Sequence, residues 1–135
     1  MAATKTVYVE GIGRRKTATA RVRLTPAKET TIVVNDKTLE AYFQHLALVK
    51  DVHSVLETKD AGIQDYTITA HVSGGGVSSQ AEAIRLGIAR ALVKEKAERR
   101  SPLKLLGFLK RDPRSVERKK FGLRKARKRP AWSKR

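Results

Sequence analysis

The chain contains no cysteine, which excludes disulfides and Cys-based metal sites and leaves the redox compartment unreadable. Aromatic residues are scarce, at 5%, with a single Trp. No apolar run approaches the roughly 20 residues that a membrane-spanning helix needs, so no membrane partner is expected. The start, Met1–Thr6, has neither an apolar h-region nor an Arg/Ser-rich amphipathic leader. The expectation is a protein that works where it is made, in the cytoplasm or, if encoded in an organelle, there. Histidine is limited to His45, His53 and His71, with no carboxylate cluster beside them. That composes a poor metal site, so no metal and no cofactor is expected, and each histidine reads as an ordinary surface or half-buried residue. No Ser–His–Asp order or carboxylate pair points to catalysis. An enzyme would need a pocket assembled in space around a histidine, and the reading is non-enzymatic.

Positive charge is what the chain has in excess. Its 135 residues carry a formal net charge of +17, and 40% are hydrophobic, enough for one modest core. Residues 1–98 hold 14 Lys+Arg against 11 Asp+Glu, whereas residues 99–135 hold 16 against 2. The expected division is a globular domain at 1–98 and, at 99–135, a short helix followed by an extended basic tail. Cations at that density repel one another without a polyanion. A membrane surface fits poorly, because the tail lacks an amphipathic apolar face. On composition alone, RNA binding, a histone-like DNA role and a nuclear localisation signal remain open.

Hydrophobic patterning gives the elements. Thr6–Glu10 alternates as a strand and is interrupted by Gly11-Ile12-Gly13. Thr17–Leu24 alternates again, with Ala18, Ala20, Val22 and Leu24 on one face and Thr19, Arg21 and Arg23 on the other. Thr30–Val34 is a third strand, ended by the turn signal Asn35-Asp36. Leu39–Phe43 and Leu46–Leu56 are helix candidates, broken by Gly62. Asp65–Val72 is a fourth strand. Ser78–Glu98 is a helix capped by Ser78 or Ser79, with Glu82 at capping-box spacing from Ser79 and a stripe of Ala81, Ile84, Ile88, Ala91 and Leu92. Gly87 within it implies close approach to the sheet, since Gly there costs about 1 kcal/mol relative to Ala. Ser101-Pro102 starts a short helix with an apolar face of Leu103, Leu105, Leu106, Phe108 and Leu109, stopped by Asp112-Pro113. The fold class is α+β, a four-stranded sheet with helices on one face. Beyond Val116 too few apolar residues remain to offset ordering entropy, so the tail is expected to be extended unless bound.

Three motifs carry charge or backbone freedom. Gly11-Ile12-Gly13-Arg14-Arg15-Lys16 lacks the third Gly and the following helix of a dinucleotide fingerprint, so that reading fails. It reads as a hairpin turn shaped by its glycines, with Arg14, Arg15 and Lys16 at the tip, open between a binding role and plain solvated charge. Gly74-Gly75-Gly76 before a helix offers N–H groups and a positive dipole end to a phosphate, or is only a flexible loop. No Gly-Lys-Ser/Thr follows, so it is not a P-loop. Eight of the twelve residues from Arg118 to Arg129 are cations. Such a run binds polyanions by counterion release. Phe121 and Trp132 are open between stacking on unpaired bases and docking on protein.

The order of these motifs decides between RNA and the rivals. The run from Gly11 to Val22 (GIGRRKTATARV) resembles the N-terminal signature of the ribosomal protein S9 family. The run from Gly74 to Leu92 resembles its central motif, and that from Arg111 to Gly122, with the final Ser133-Lys134-Arg135, its C-terminal part. Relatives often carry Gly where Ser79 stands and a small residue where Glu82 stands. The resemblance implies a fold similar to domain 2 of ribosomal protein S5, with a left-handed βαβ crossover. It implies a single-copy place in the head of the small ribosomal subunit, with 16S-type rRNA, neighbouring head proteins and peptidyl-site tRNA as partners. Carried onto this sequence, it makes Ser133, Lys134 and Arg135 the tRNA contacts. The expected rRNA contacts are Arg14, Arg15, Lys16, Arg21, Arg23, Gly74, Gly75, Gly76, Arg118, Lys119, Lys120, Arg124, Lys125, Arg127, Lys128 and Arg129.

Overall fold

The computed structural model describes residues 7–134. Thr6, the first residue of the first expected strand, and Arg135, the last expected tRNA contact, lie outside the described residues. The strands are β1 (Val9–Arg15), β2 (Ala18–Pro26), β3 (Thr31–Val34), β4 (Lys37–Thr38) and β5 (Tyr66–Ser73). The helices are α1 (Leu39–Tyr42), α2 (Leu46–His53), α3 (Val77–Glu95) and α4 (Arg100–Leu105), with 3₁₀ turns at Lys59–Ala61 and Ala97–Arg99.

The fold is α+β, as expected, but the sheet has five strands rather than four, in the order β1-β2-β5-β3-β4. The additional strand, β4, folds back on β3 through Asn35-Asp36, both at positive φ (45° and 64°). Successive positive φ values suit the twist of a two-residue hairpin. A two-residue strand has no alternation to read, so patterning misses it. β1, β2 and β5 pair antiparallel, whereas β3 and β5 are parallel neighbours joined through β4, α1 and α2, a βαβ crossover.

Alternation decides which face is buried. Ala18, Ala20, Val22 and Leu24 of β2 and Tyr66, Ile68, Ala70 and Val72 of β5 all point into the core. They meet Ala81, Ile84, Ile88, Ala91 and Leu92 of α3, with Leu39, Phe43, Val49 and Val52 closing the far end. Among the described residues no helix covers the opposite face of the sheet.

Several local expectations are corrected. β1 is not interrupted by its glycines but runs through them. A Cβ on Gly13 would lie 1.8 Å from the Ala83 carbonyl oxygen, and one on Gly11 2.3 Å from that of Gly87. The glycines are there because the backbone of α3 rests on the strand, a use that Gly in a strand interior often has. Gly87 completes this contact, its own Cβ position being 2.7 Å from Val22 Cγ2. The hairpin turn falls one step later, at Lys16-Thr17, with Lys16 at φ 52°.

No serine caps α3. Gly76 is its N-cap without a side-chain bond, Ser79 is buried in the first turn, and Glu82 is turned to Arg15 instead of closing a capping box. α4 starts at Arg100 rather than at Pro102, and Pro102 sits in its first turn, where a missing N–H costs nothing. Gly107, at φ 78°, follows the helix well before Asp112-Pro113, so Leu103 is buried while Leu105 and Leu106 are exposed. Packing also continues past residue 98, since both Arg99 and Leu103 lie in the interior and Phe108 and Leu109 pack against the core.

Candidate nucleic-acid interface

The open sheet face is the first half of the interface. Registry places Arg14 opposite Thr19, Ile12 opposite Arg21, and Glu10 opposite Arg23; on the other side of β2, Arg21 faces His71 and Thr19 faces Ser73. Cross-strand partners share a face, so Arg14, Arg21 and Arg23 rise from one threonine-rich, solvent-facing surface. Arg14 and Arg21 are exposed. Arg23 is half-buried, donating from Nε to Glu10 at 3.0 Å, with its guanidinium 4.6 Å from the centre of the Tyr8 ring. Lys16 occupies the exposed hairpin turn.

Arg15 behaves differently from its neighbours. Alternation turns it inward, and only 8% of it is exposed. Its Nε donates to Glu82 at 2.6 Å, one terminal nitrogen donates to the Arg114 carbonyl at 2.5 Å, and the other lies 3.3 Å from Asp112. Asp112 in turn accepts from the backbone N–H and the guanidinium of Arg114. Those hydrogen bonds, side chain first, hold the Asp112 carboxyl well below the usual carboxylate range and raise Arg114 above the usual guanidinium value. The expected cluster of three cations at the tip is therefore two cations outside and one interior clamp, which ties the root of the tail to β1 and α3.

The triple-glycine loop is shaped first by packing. Gly74 (φ 75°) and Gly75 (φ 66°) take left-handed backbone, and their Cβ positions would lie 2.5 Å from the Thr17 carbonyl oxygen and 2.9 Å from Ala18 Cβ. Tyr42 donates to Gln80 at 2.7 Å, and Gln80 donates to the Gly74 carbonyl at 3.0 Å, fixing the loop. A Cβ on Gly76 would meet nothing within 4 Å among the described residues, and the α3 N-terminus beside it has no side-chain cap.

Residues 111–120 form no regular element, and turns follow at 121–127. Glu117 receives Lys120 at 2.5 Å and Arg127 at 2.9 Å, and the Arg124 N–H donates to the Lys128 carbonyl at 2.8 Å. All eight cations from Arg118 to Arg129, and Lys134, are exposed. Phe121 (96% exposed) and Trp132 (87%) do not pack on the folded part of this chain. Among the described residues no group of His, Asp and Glu is placed to hold a metal, and no helix is long and apolar enough to cross a membrane. His45 and His71 are exposed and His53 half-buried.

A family model described as ribosomal protein S9/S16 matches residues 13–135. The small ribosomal subunit protein uS9 of Synechococcus sp. (strain JA-2-3B'a(2-13)) is 53% identical over 127 residues, covering 93% of this chain and 91% of that protein. Proteins of the same name from Synechocystis sp. (strain ATCC 27184 / PCC 6803 / Kazusa) and Mycobacterium avium (strain 104) are 49% and 48% identical, covering 97% and 94% of this chain and 94% and 75% of their own.

The chain belongs to the ribosomal protein S9 family. Members of the S9 family are structural ribosomal proteins, and the chain is not an enzyme. Most of the expected S9-type cations are on the surface, with Arg15 the exception. Sequence reasoning passed over a second buried arginine, Arg99, which is 2% exposed. It donates to the carbonyls of Ala61 (3.2 Å) and Gly62 (3.1 Å), to Tyr66 Oη (3.0 Å) and to Glu95 (2.5 Å). Burial works against its charge, but the bonds with Tyr66 and Glu95 outweigh it and raise its pKa. Burial, then the bond to Glu95, lifts the Tyr66 phenol above its ordinary value, with Arg99 opposing. In the sequence Arg99 is one of sixteen cations after residue 98, and only its spacing of four from Glu95 hinted at a partner.

Proposed function

We propose that the chain is a single-copy constituent of the small ribosomal subunit that binds 16S-type rRNA in the subunit head and extends its tail to peptidyl-site tRNA. The observation that carries this reading is the exposed run Arg118–Arg129, whose only carboxylate partner among the described residues is Glu117. A polyanion supplies what that run lacks, and its binding releases counterions without reading sequence. Arg14, Lys16, Arg21 and Arg23 extend the same potential over the hairpin and the open sheet face. The glycine loop brings the uncapped N–H groups of α3 within reach of a phosphate. Phe121 and Trp132, both exposed, are free to stack on unpaired bases. Lys134 is an exposed cation close to the end of the tail, and Ser133, Lys134 and Arg135 form the tRNA-facing end. Names borne by the relatives support the small subunit. The tail orders on binding, which disperses its amide resonances in the complex and not in the free protein.

The test is sedimentation of cell extract in high salt. Stoichiometric co-migration with small subunits is expected, and its absence sinks the reading.

A further inference from the structure

We propose that a cleft at the root of the tail is an additional RNA phosphate site, adjoining the sheet face at Arg14 and distinct from the distal run of cations. The proposal rests on the rRNA-binding reading above. After α4 the chain turns at Gly107, Phe108 and Leu109 pack back on the core, and the Arg15 clamp fixes Asp112 and Arg114. This leaves a recess lined by Arg14, Arg85, Lys110 and Arg111, continuous through Arg85, Lys110 and Asp112 with an open cleft of about 440 Å³ that Arg114 closes.

The carboxylates around the cleft are all committed inside the protein. Glu82 pairs with Arg15, Asp51 pairs with Arg85, and Asp112 holds Arg114 and Arg15. Arg14, Lys110 and Arg111 have no carboxylate partner among the described residues, so three uncompensated cations line the recess, and Lys110 lines the open cleft as well. Their backbone is held before any ligand arrives, unlike that of the distal tail, so less ordering entropy opposes binding there. The open cleft alone falls within the roughly 300–1,000 Å³ of sites that take small ligands, room for a nucleotide unit beside Lys110, while Arg14 and Arg111 line the narrow recess that adjoins it. Cations spread over two joined compartments suit successive phosphodiesters of one strand.

The test measures binding of the full chain to a transcript of the small-subunit head rRNA across salt concentrations. Lys110→Gln/Arg111→Gln is compared with Lys28→Gln/Lys37→Gln, two exposed lysines outside the cleft. Among the described residues none of these four lysine and arginine side chains makes a hydrogen bond or ion pair, and unchanged far-UV circular dichroism checks that the fold is intact. The cleft variant is expected to lower the salt slope by about 1.4 to 1.8, two phosphate contacts at roughly 0.7 to 0.9 each, with the control unchanged. An unchanged slope, or an equal loss in the control, overturns the cleft. Failure of the parent chain to bind the transcript at all removes the underlying reading as well, so the two failures are distinguishable. Titration with inorganic phosphate, followed by the amide shifts of Lys110–Arg114, separates the sources. Saturation by phosphate as tight as by RNA overturns the RNA assignment.

Discussion

Replacing Gly13 by Ala adds one methyl group where β1 and α3 touch backbone to backbone. The new Cβ would lie 1.8 Å from the Ala83 carbonyl oxygen and 2.6 Å from the Gly87 nitrogen, against 3.4–4 Å for ordinary contact. Neither atom belongs to a side chain that can rotate away. The helix must withdraw by well over an ångström, and a gap of about 0.5–1 Å already forfeits a quarter to a half of each dispersion contact across it. The cost is expected at or above the top of the roughly 1–3 kcal/mol found for overpacked cores. That is a large share of the ~5–15 kcal/mol by which domains are stable. Gly87→Ala is the informative contrast. Its Cβ meets mainly Val22 Cγ2, at 2.7 Å, and gains about 1 kcal/mol of helix propensity, leaving a net loss of roughly 0–2 kcal/mol. Urea unfolding followed by far-UV circular dichroism reads both; Trp132 fluorescence does not, because that side chain sits exposed in the tail. A loss below about 1 kcal/mol for Gly13→Ala with an unchanged m-value, or a larger loss for Gly87→Ala, refutes the close-approach argument.

Arg99→Ala is expected to destabilise the fold by about 3–5 kcal/mol, because Glu95 and Tyr66 lose their partner in a buried site; a urea midpoint near that of the parent would contradict this. The Asp112 anchor has a depressed pKa, so its contribution is full above the unfolded carboxyl value of 3.8 and is lost only as pH falls through the lower folded value. The Arg114 amide resonance should hold steady from pH 7 to pH 4 and move in stronger acid, and a transition centred at pH 4 or higher would count against the clamp. Deleting Ser133-Lys134-Arg135 should weaken peptidyl-site tRNA binding and lower its salt slope by roughly 0.7 to 0.9 per lost phosphate contact, with subunit assembly largely intact. Filter-binding across salt measures it, and an unchanged tRNA affinity speaks against the tail's last residues.

Patterning by itself determined the α+β class, the inward faces of β2 and β5, the α3 stripe, and the uneven charge that demands a polyanion. Those features are local: a period of two or of 3.6 fixes which side chains turn inward wherever the element is later placed. Only the tertiary structure decided what the glycines and two of the arginines are for. Gly11 and Gly13 look like a turn until α3 is laid across them, since the reason for a missing Cβ is an atom seventy or more residues away, Ala83 O or Gly87 O. Ser79 and Glu82 have capping-box spacing, but burial of one and the Arg15 ion pair of the other took precedence over the local preference. Arg15 and Arg99 carry little in sequence to set them apart from the solvated cations around them. Carboxylates and carbonyls brought in by other elements, at Glu82, Asp112, Ala61 and Gly62, turn these two into interior clamps, while Arg14 and Arg21 stay exposed on the sheet face.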